Sequence, residues 1–326
     1  MANYTLKRTI KVSIRPKPAP GDSITSGWKN IDIYPDYTVS QTITDKTYNQ
    51  KTIQEQHKLH DSSNIVKLNP LNAEFTVPIL EENDYDLLYE LLLETENDNL
   101  KEFEMLIIPE EGDVSHYCFN CFITSGTFII ERSKNLALKI SVEGGYLAAL
   151  PHSSNTYRGL SNNIESGSRS GTRTFEMPTY IKCVLDGFDL TEALVSMSIE
   201  LQNKITWTPY QTVEGALAID EDSNTPPITL PRPTKCTLSK RILSGSITKY
   251  AGFDTTLSQN TILSFATNKD LEIRAGNTEN SGFRFTLTNC SYTTRSNTSD
   301  VFTSVYDWKM NDNPTDLSTK ILINPS

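Results

Sequence analysis

One pattern occurs twice in this chain, and it constrains the fold more than any single residue does. In the first half an alternating run at 73–80 leads into a leucine-rich run at 83–93 and a second alternating run at 102–108. In the second half, runs at 242–248, 256–265 and 271–274 repeat that order. Each copy reads as strand, short helix, strand, because apolar residues recur with period two, then near 3.6, then two again. Each is followed by two more alternating stretches, 117–132 with 136–146 and 283–294 with 301–310. Identity between the copies is almost nil, so the repeat lies in order alone.

The remaining segments fit the same plan. Residues 4–15 alternate (Leu6, Ile10, Val12 and Ile14 against Lys7, Lys11 and Ser13) and read as a first strand, ended by Pro16, Pro18, Pro20 and Gly21. A second strand is expected over 37–44. In the helix, Asn83 is expected as N-cap, with Asp84 and Asp86 in the first turn and Leu87, Leu88, Leu91 and Leu92 as the buried stripe of about three turns. The second half opens with strands at 175–185 and 193–202 around an Asp186-Gly187 turn. Each half also carries a long polar arm after its second strand, at 45–69 and at 208–233. Connections of that length in compact domains tend to be functional or disordered. A stretch rich in Ser, Asn, Gly and Arg at 151–173 reads as a linker between a domain at 1–150 and another at 174–326.

At 326 residues the chain can bury two ordinary cores. With 30 basic and 40 acidic residues the net charge is -10, which argues against tight, counterion-releasing binding to nucleic acid. It leaves room for a surface over which a polyanion passes without sticking. The N-terminus has no apolar core of signal-peptide length, and no apolar run reaches the roughly 20 residues of a membrane helix, so synthesis in a cytoplasm and no membrane partner are expected.

Reaction chemistry is not evident. There is no phosphate loop, dinucleotide turn or nucleophile elbow. His57 and His60 have metal-like spacing but no acidic third ligand, and the acidic pairs sit at expected turns, so neither a metal, a cofactor nor an enzyme is expected. The five cysteines form no disulfide framework. Cys118 and Cys121 make a CxxC inside a strand pattern, where positions three apart point to opposite faces, and are read as structural thiols.

Strand alternation separates two faces. Met197, Ile199 and Leu201 oppose Ser196, Ser198, Glu200 and Gln202; Phe75, Val77 and Ile79 oppose Glu74 and Thr76; Phe283, Phe285 and Leu287 oppose Arg284, Thr286 and Thr288. One face packs under a helix, and the other is mostly hydroxyls with an occasional acid. Taken alone, the polar face reads as a solvated exterior.

The order of elements, with the runs at 194–203, 240–248 and 271–274, resembles the tail tube proteins of long-tailed bacteriophages. The second half resembles them more closely than the first. The resemblance implies a mainly β (α+β) fold: two tandem tube-like β-sandwich or half-barrel domains, each with one flanking helix and a long arm loop. It implies a structural virion protein whose homotrimeric, pseudo-sixfold rings stack head to tail into a tube that conducts DNA to the host cell. The polar faces, represented by Glu74, Thr76, Ser196, Ser198, Glu200 and Gln202, would then line the lumen. The arms, represented by Lys46, Tyr48, Lys51, His57, His60, Tyr210, Ile228, Leu230 and Arg232, would reach the neighbouring ring. Implied partners are further copies of the chain, a tape-measure protein and DNA in the lumen, and terminator and distal tail proteins at the ends. Two other readings remain open. One is a tube-fold ring adaptor (distal tail, terminator or baseplate hub), and the other is a two-domain adhesin or carbohydrate-binding module with Trp28, Trp207 and Trp308 as stacking platforms.

Overall fold

Alternating strands dominate the computed structural model, which describes residues 10–17, 27–51, 59–80, 85–109, 114–131, 134–151, 174–207, 233, 235–251, 265–298, 302–312 and 316–323. Strands are numbered in chain order, and β2 (Lys29–Ile31), β7 (Thr95–Glu96), β8 (Asn99–Leu100), β12 (Tyr146–Pro151), β14 (Phe188–Asp189) and β20 (Ile321–Ile323) are short strands flanking the main ones. Six of the first half pair antiparallel in the order β1 (Ile10–Pro16), β9 (Phe103–Pro109), β10 (Val114–Ile130), β11 (Ala137–Gly144), β6 (Leu71–Pro78), β3 (Thr38–Ser40). Six of the second half pair antiparallel in the order β13 (Tyr180–Leu185), β17 (Phe265–Gly276), β18 (Phe283–Thr298), β19 (Phe302–Met310), β16 (Cys236–Tyr250), β15 (Leu194–Trp207). The two orders are the same, position for position. They are joined because β15 also pairs with β10, with Gly126 opposite Leu201 and Phe128 opposite Ile199. One antiparallel sheet therefore crosses from the first half to the second, without closing into a barrel.

Backbone detail supports the correspondence. The long strands β10 and β18 each contain an Asn-Cys pair, Asn120-Cys121 and Asn289-Cys290, with the asparagines at φ 51° and 56°. Asn tolerates this left-handed conformation better than most residues, and here it marks an irregularity in each strand. At Asn120 the register shifts between Cys118 and Cys121, so both cysteines turn into the core. That corrects the expectation of opposite faces: strict period-two alternation fails where a bulge adds a residue.

The main core draws on both halves. Phe128 of β10 packs edge-on against Phe283 and Phe285 of β18, with ring centroids 5.2 and 4.9 Å away. The single helix among the described residues, α1 (Asp86–Leu93), buries Leu88, Leu91 and Leu92 while Leu87 is half-buried. It is shorter than the expected three turns, and Tyr85 stands at its N-cap with no side-chain cap bond; Asn83 lies outside the described residues. Gly126 lets the helix seat on β10, since a Cβ there would stand 2.9 Å from Leu92 Cδ1. At the helix C-terminus, Arg241 of β16 donates to the carbonyls of Leu92 (2.6 Å) and Leu93 (2.9 Å) and to Asn203 Oδ1 (2.9 Å). A cation there satisfies exposed carbonyls and complements the helix dipole. The second-half helix expected at 256–265 falls outside the described residues except Phe265, which begins β17.

The first arm departs from expectation. Residues read as a long polar arm loop form a hairpin of β4 (Ile43–Lys51) and β5 (Leu59–Leu68), and the strand expected over 37–44 is split between β3 and β4. The second arm at 208–232 and the linker at 152–173 lie outside the described residues. Beyond the linker, a single bridge joins Leu80 to Phe175, and the strand expected over 175–185 begins only at Tyr180. A smaller satellite core holds Trp28, Leu106, Tyr117 and Phe119. Beside it Arg15 is paired with Glu104, hydrogen-bonded to Tyr117 and stacked 4.7 Å over Trp28.

Candidate functional surface

The sheet has one face on the core and one polar face, and the registers show how the polar residues line up across strands. One row runs Thr76, Lys139, Thr127, Glu200, Ser244, Lys309, Ser291, from β6 through β11, β10, β15, β16 and β19 to β18. The next row runs Ile129, Ser198, Ser246, Asp307, Thr293. Rows form because period-two alternation on each strand is kept in phase by the pairing. The continuity of these rows through the β10–β15 junction makes this one surface instead of two.

Of the residues expected on the polar face, Glu74, Ser196 and Ser198 are exposed and Glu200 and Gln202 half-buried. Ser198 Oγ is 2.9 Å from Ser246 Oγ, and Gln202 donates to Glu200 Oε1 at 2.9 Å. Thr76 is different. It belongs to a row but is buried, its hydroxyl donating to Asp36 Oδ2 at 2.6 Å, because the 34–36 segment lies over it. Period alone could not show that a later packing layer covers one end of the row.

The face carries cations that alternation does not single out: Lys139, Lys309 and Arg295. Lys139 lies 3.1 Å from Glu74 and Arg295 2.8 Å from Asp307. These two ion pairs, and Glu200 standing between Lys139 and Lys309 in its row, leave the central rows neither a basic stripe nor an unbroken acidic one. This corrects the picture of hydroxyls with an occasional acid.

Of the arm residues, Lys46, Tyr48, Lys51 and His60 lie on the β4–β5 hairpin opposite Asn64, Ser62, Leu59 and Gln50. His57, Tyr210, Ile228, Leu230 and Arg232 lie outside the described residues. Trp28 and Trp308 are buried, and Trp207 is half-buried with its indole N–H donating to Glu143 at 2.8 Å, so the described residues offer no exposed tryptophan platform. All five cysteines are free and buried. Burial pushes the thiols of Cys183, Cys236 and Cys290 up to about 12, which leaves them protonated and unreactive near neutral pH. Among the described residues no three His, Cys, Asp or Glu side chains converge on a metal position, and no helix is long and apolar enough to cross a membrane.

Residues 27–323 match the Bacteriophage Baseplate Tube Protein Family. The chain belongs to that family. It is a structural virion protein of the tail, tube- or baseplate-related. No curated protein matches it. Among solved structures it is similar to the tube-terminating cap of the anti-feeding prophage, at 12% identity and TM-score 0.33, over 46% of this chain and 93% of that one. It is also similar to a chain of the sheath–tube complex of an extracellular contractile injection system, PVC, in the extended state, at 10% identity and TM-score 0.31, over 44% of this chain and 88% of that one.

Proposed function

We propose that this chain forms the wall of a tail tube, with its polar sheet face lining the bore and its halves acting as two similar sectors of one ring. The observation that carries this reading is the mainly polar surface running from β11 to β18 across both halves, backed by a shared core. A face of hydroxyls and mutually neutralised charges suits a channel for a polyanion. It presents few fixed cations to release counterions on contact, so DNA gains little by sticking. Glu74, Ser196, Ser198, Glu200 and Gln202 are the lumen-facing residues on this reading, with Thr76 behind them.

Two sectors per chain give a trimer pseudo-sixfold symmetry. Rings stacked head to tail make a heterologous, open-ended contact, and the arms at 45–69 and 208–233 span to the next ring. The partners are further copies of the chain, a tape-measure protein and DNA within the bore, and terminator or distal tail proteins at the ends. The family description, a baseplate tube, favours a short stack or single ring at the baseplate end over the whole length of a major tube. Nothing in this role calls for catalysis.

Negative-stain microscopy of the purified chain tests the reading. Rings with threefold averages, alone or in stacks, are expected; single rings would make the protein an adaptor, and long tubes would make it the tube itself. A chain that stays monomeric at high concentration contradicts both.

A further inference from the structure

The junction inside the chain has a counterpart at each end of it, and we propose that β18 of one copy pairs antiparallel with β3 of a second copy, Ser296 opposite Val39 and Arg295 opposite Ser40. This rests on the ring reading above and names the edges that close the ring.

The registers lead to that pairing step by step. In the first half Gly126 lies opposite Ile140, and Ile140 opposite Phe75. Counting from the matched Asn120 and Asn289, and allowing for the extra residue that β10 carries between Ile123 and Ser125, Gly126 corresponds to Thr294, and the matching steps are Thr294 to Tyr306 and Tyr306 to Ile247. Phe75 thus corresponds to Ile247, and two residues earlier Ala73 corresponds to Gly245. Val39 sits opposite Ala73 and Ile199 opposite Gly245, so Val39 corresponds to Ile199. Within the chain Ile199 pairs with Phe128, whose counterpart on β18, two residues beyond Thr294, is Ser296. Repeating the internal junction between copies therefore sets Ser296 against Val39.

Both edges are placed for it. The strand path ends at β3, where Thr38 and Ser40 are exposed. On β18, the ladder with β17 stops at Thr293, and among the described residues Arg295–Thr298 pair only with β19. Exposed ladder groups of this kind are templates for another strand.

Burial gives a second, independent sign. Leu136, four residues before Ile140, is 0% exposed: its backbone N–H bonds to the Glu176 carbonyl, in the segment that enters the second half. Its counterpart, four residues before Tyr306, is Phe302, which is 61% exposed. The position that is covered where the halves meet inside the chain is thus left as an exposed aromatic ring at the outer end, where a second copy would cover it.

Paired cysteines test the register in the full chain. Opposed residues on antiparallel strands come close enough for a disulfide, and the native thiols are buried, so background is low. The double variant Val39→Cys with Ser296→Cys, mildly oxidised after assembly, is expected to give a non-reducing gel ladder ending at the closed-ring size. Either single variant should lose that ladder at least tenfold, as should Val39→Cys with Asn297→Cys, which is out of register and on the opposite face. Separately, Phe302→Asp should abolish assembly while the monomer keeps its melting temperature. Rings that form without the in-register cross-link, or that cross-link equally out of register, overturn the edge assignment and leave the tube reading standing. A chain that neither assembles nor cross-links overturns both.

Discussion

The first and second halves solve one topological problem with different side chains. Ala73 faces Val142 across β6 and β11; at the corresponding place Gly245 faces Trp308 across β16 and β19. A methyl group removed from one strand makes room for a much larger ring on its neighbour. A Cβ on Gly245 would come within 2.0 Å of the Ser198 carbonyl and 2.9 Å of the Trp308 ring, so the exchange goes in one direction only. Interiors are filled to near-crystalline density, and compensated swaps of this kind keep the density while erasing sequence identity. Strand order persists because it depends on backbone pairing. The identities of paired residues drift because each need only fit the space its neighbours leave.

The sharpest contrast lies where each half offers its long strand sideways. Phe128 is 1% exposed, clasped between the halves, whereas Ser296 in the corresponding place is exposed. The permanent junction can be apolar, while an edge open in the monomer is safer polar, since a flat apolar edge invites aggregation. Phe128→Ala should cost about 3–5 kcal/mol, the usual range for emptying a buried aromatic site. Ser296→Ala should change the monomer by less than about 0.5 kcal/mol. Urea denaturation of the two variants measures both, and equal losses would break the contrast.

A second asymmetry lies at the end of each arm. In the first half Asn69 turns back on its own arm, accepting from the Thr44 hydroxyl at 2.9 Å. In the second half the corresponding residue is Arg241, which reaches across the halves to the end of α1. Burial brings its guanidinium down to about 10, still well above neutral, so it stays charged. Arg241→Met keeps much of the bulk and removes the donors. The Leu93 carbonyl retains the Leu317 N–H at 3.0 Å, but the Leu92 carbonyl and the Asn203 amide oxygen lose this donor. A cost of about 2–4 kcal/mol is expected, with faster amide exchange in the last turn of α1. Asn69→Ala should cost under about 1 kcal/mol. If Arg241→Met were as mild, the halves would not be locked through this residue.

The same physics decides how much of the fold is legible in the sequence. Apolar alternation announces β6, β9, β10, β15, β16, β18 and β19, because each has a core face. The β4–β5 hairpin reads as loop, since Ile43–Lys51 and its partner carry no regular apolar face. The bulge that turns Cys121 inward has a usable signal, the Asn-Cys pair occurring in both long strands, which only the comparison of the halves makes visible. Pairing of β10 with β15 cannot be read locally: strand partners across a long separation are chosen by total burial and closure, and no short motif encodes the choice. The polar face is half legible. Ser198 and Glu200 declare themselves by alternation, but the ion pairs that neutralise the face join neighbouring strands, and alternation names no neighbours.

Those ion pairs supply the smallest expected effect and separate stability from role. Glu74–Lys139 in the first half and Arg295–Asp307 in the second are solvent-exposed, with Glu74 at 49% and Arg295 at 65% side-chain exposure. Exposed pairs contribute about 0–1 kcal/mol, so Glu74→Gln and Asp307→Asn should each shift stability by less than about 0.5 kcal/mol. Reversal is a different matter for transport. Glu74→Lys with Glu200→Lys removes the ion-pair partner of Lys139 and places a third lysine between Lys139 and Lys309, which turns the central row into a basic stripe. A polyanion would then release counterions on binding, with an affinity that falls steeply as salt rises. Unchanged melting together with new, salt-sensitive DNA binding is the expected result, measured by calorimetry and by fluorescence anisotropy with a short duplex. If the reversed protein instead melted early and still ignored DNA, the balance of charge on this face would belong to folding and not to what passes over it.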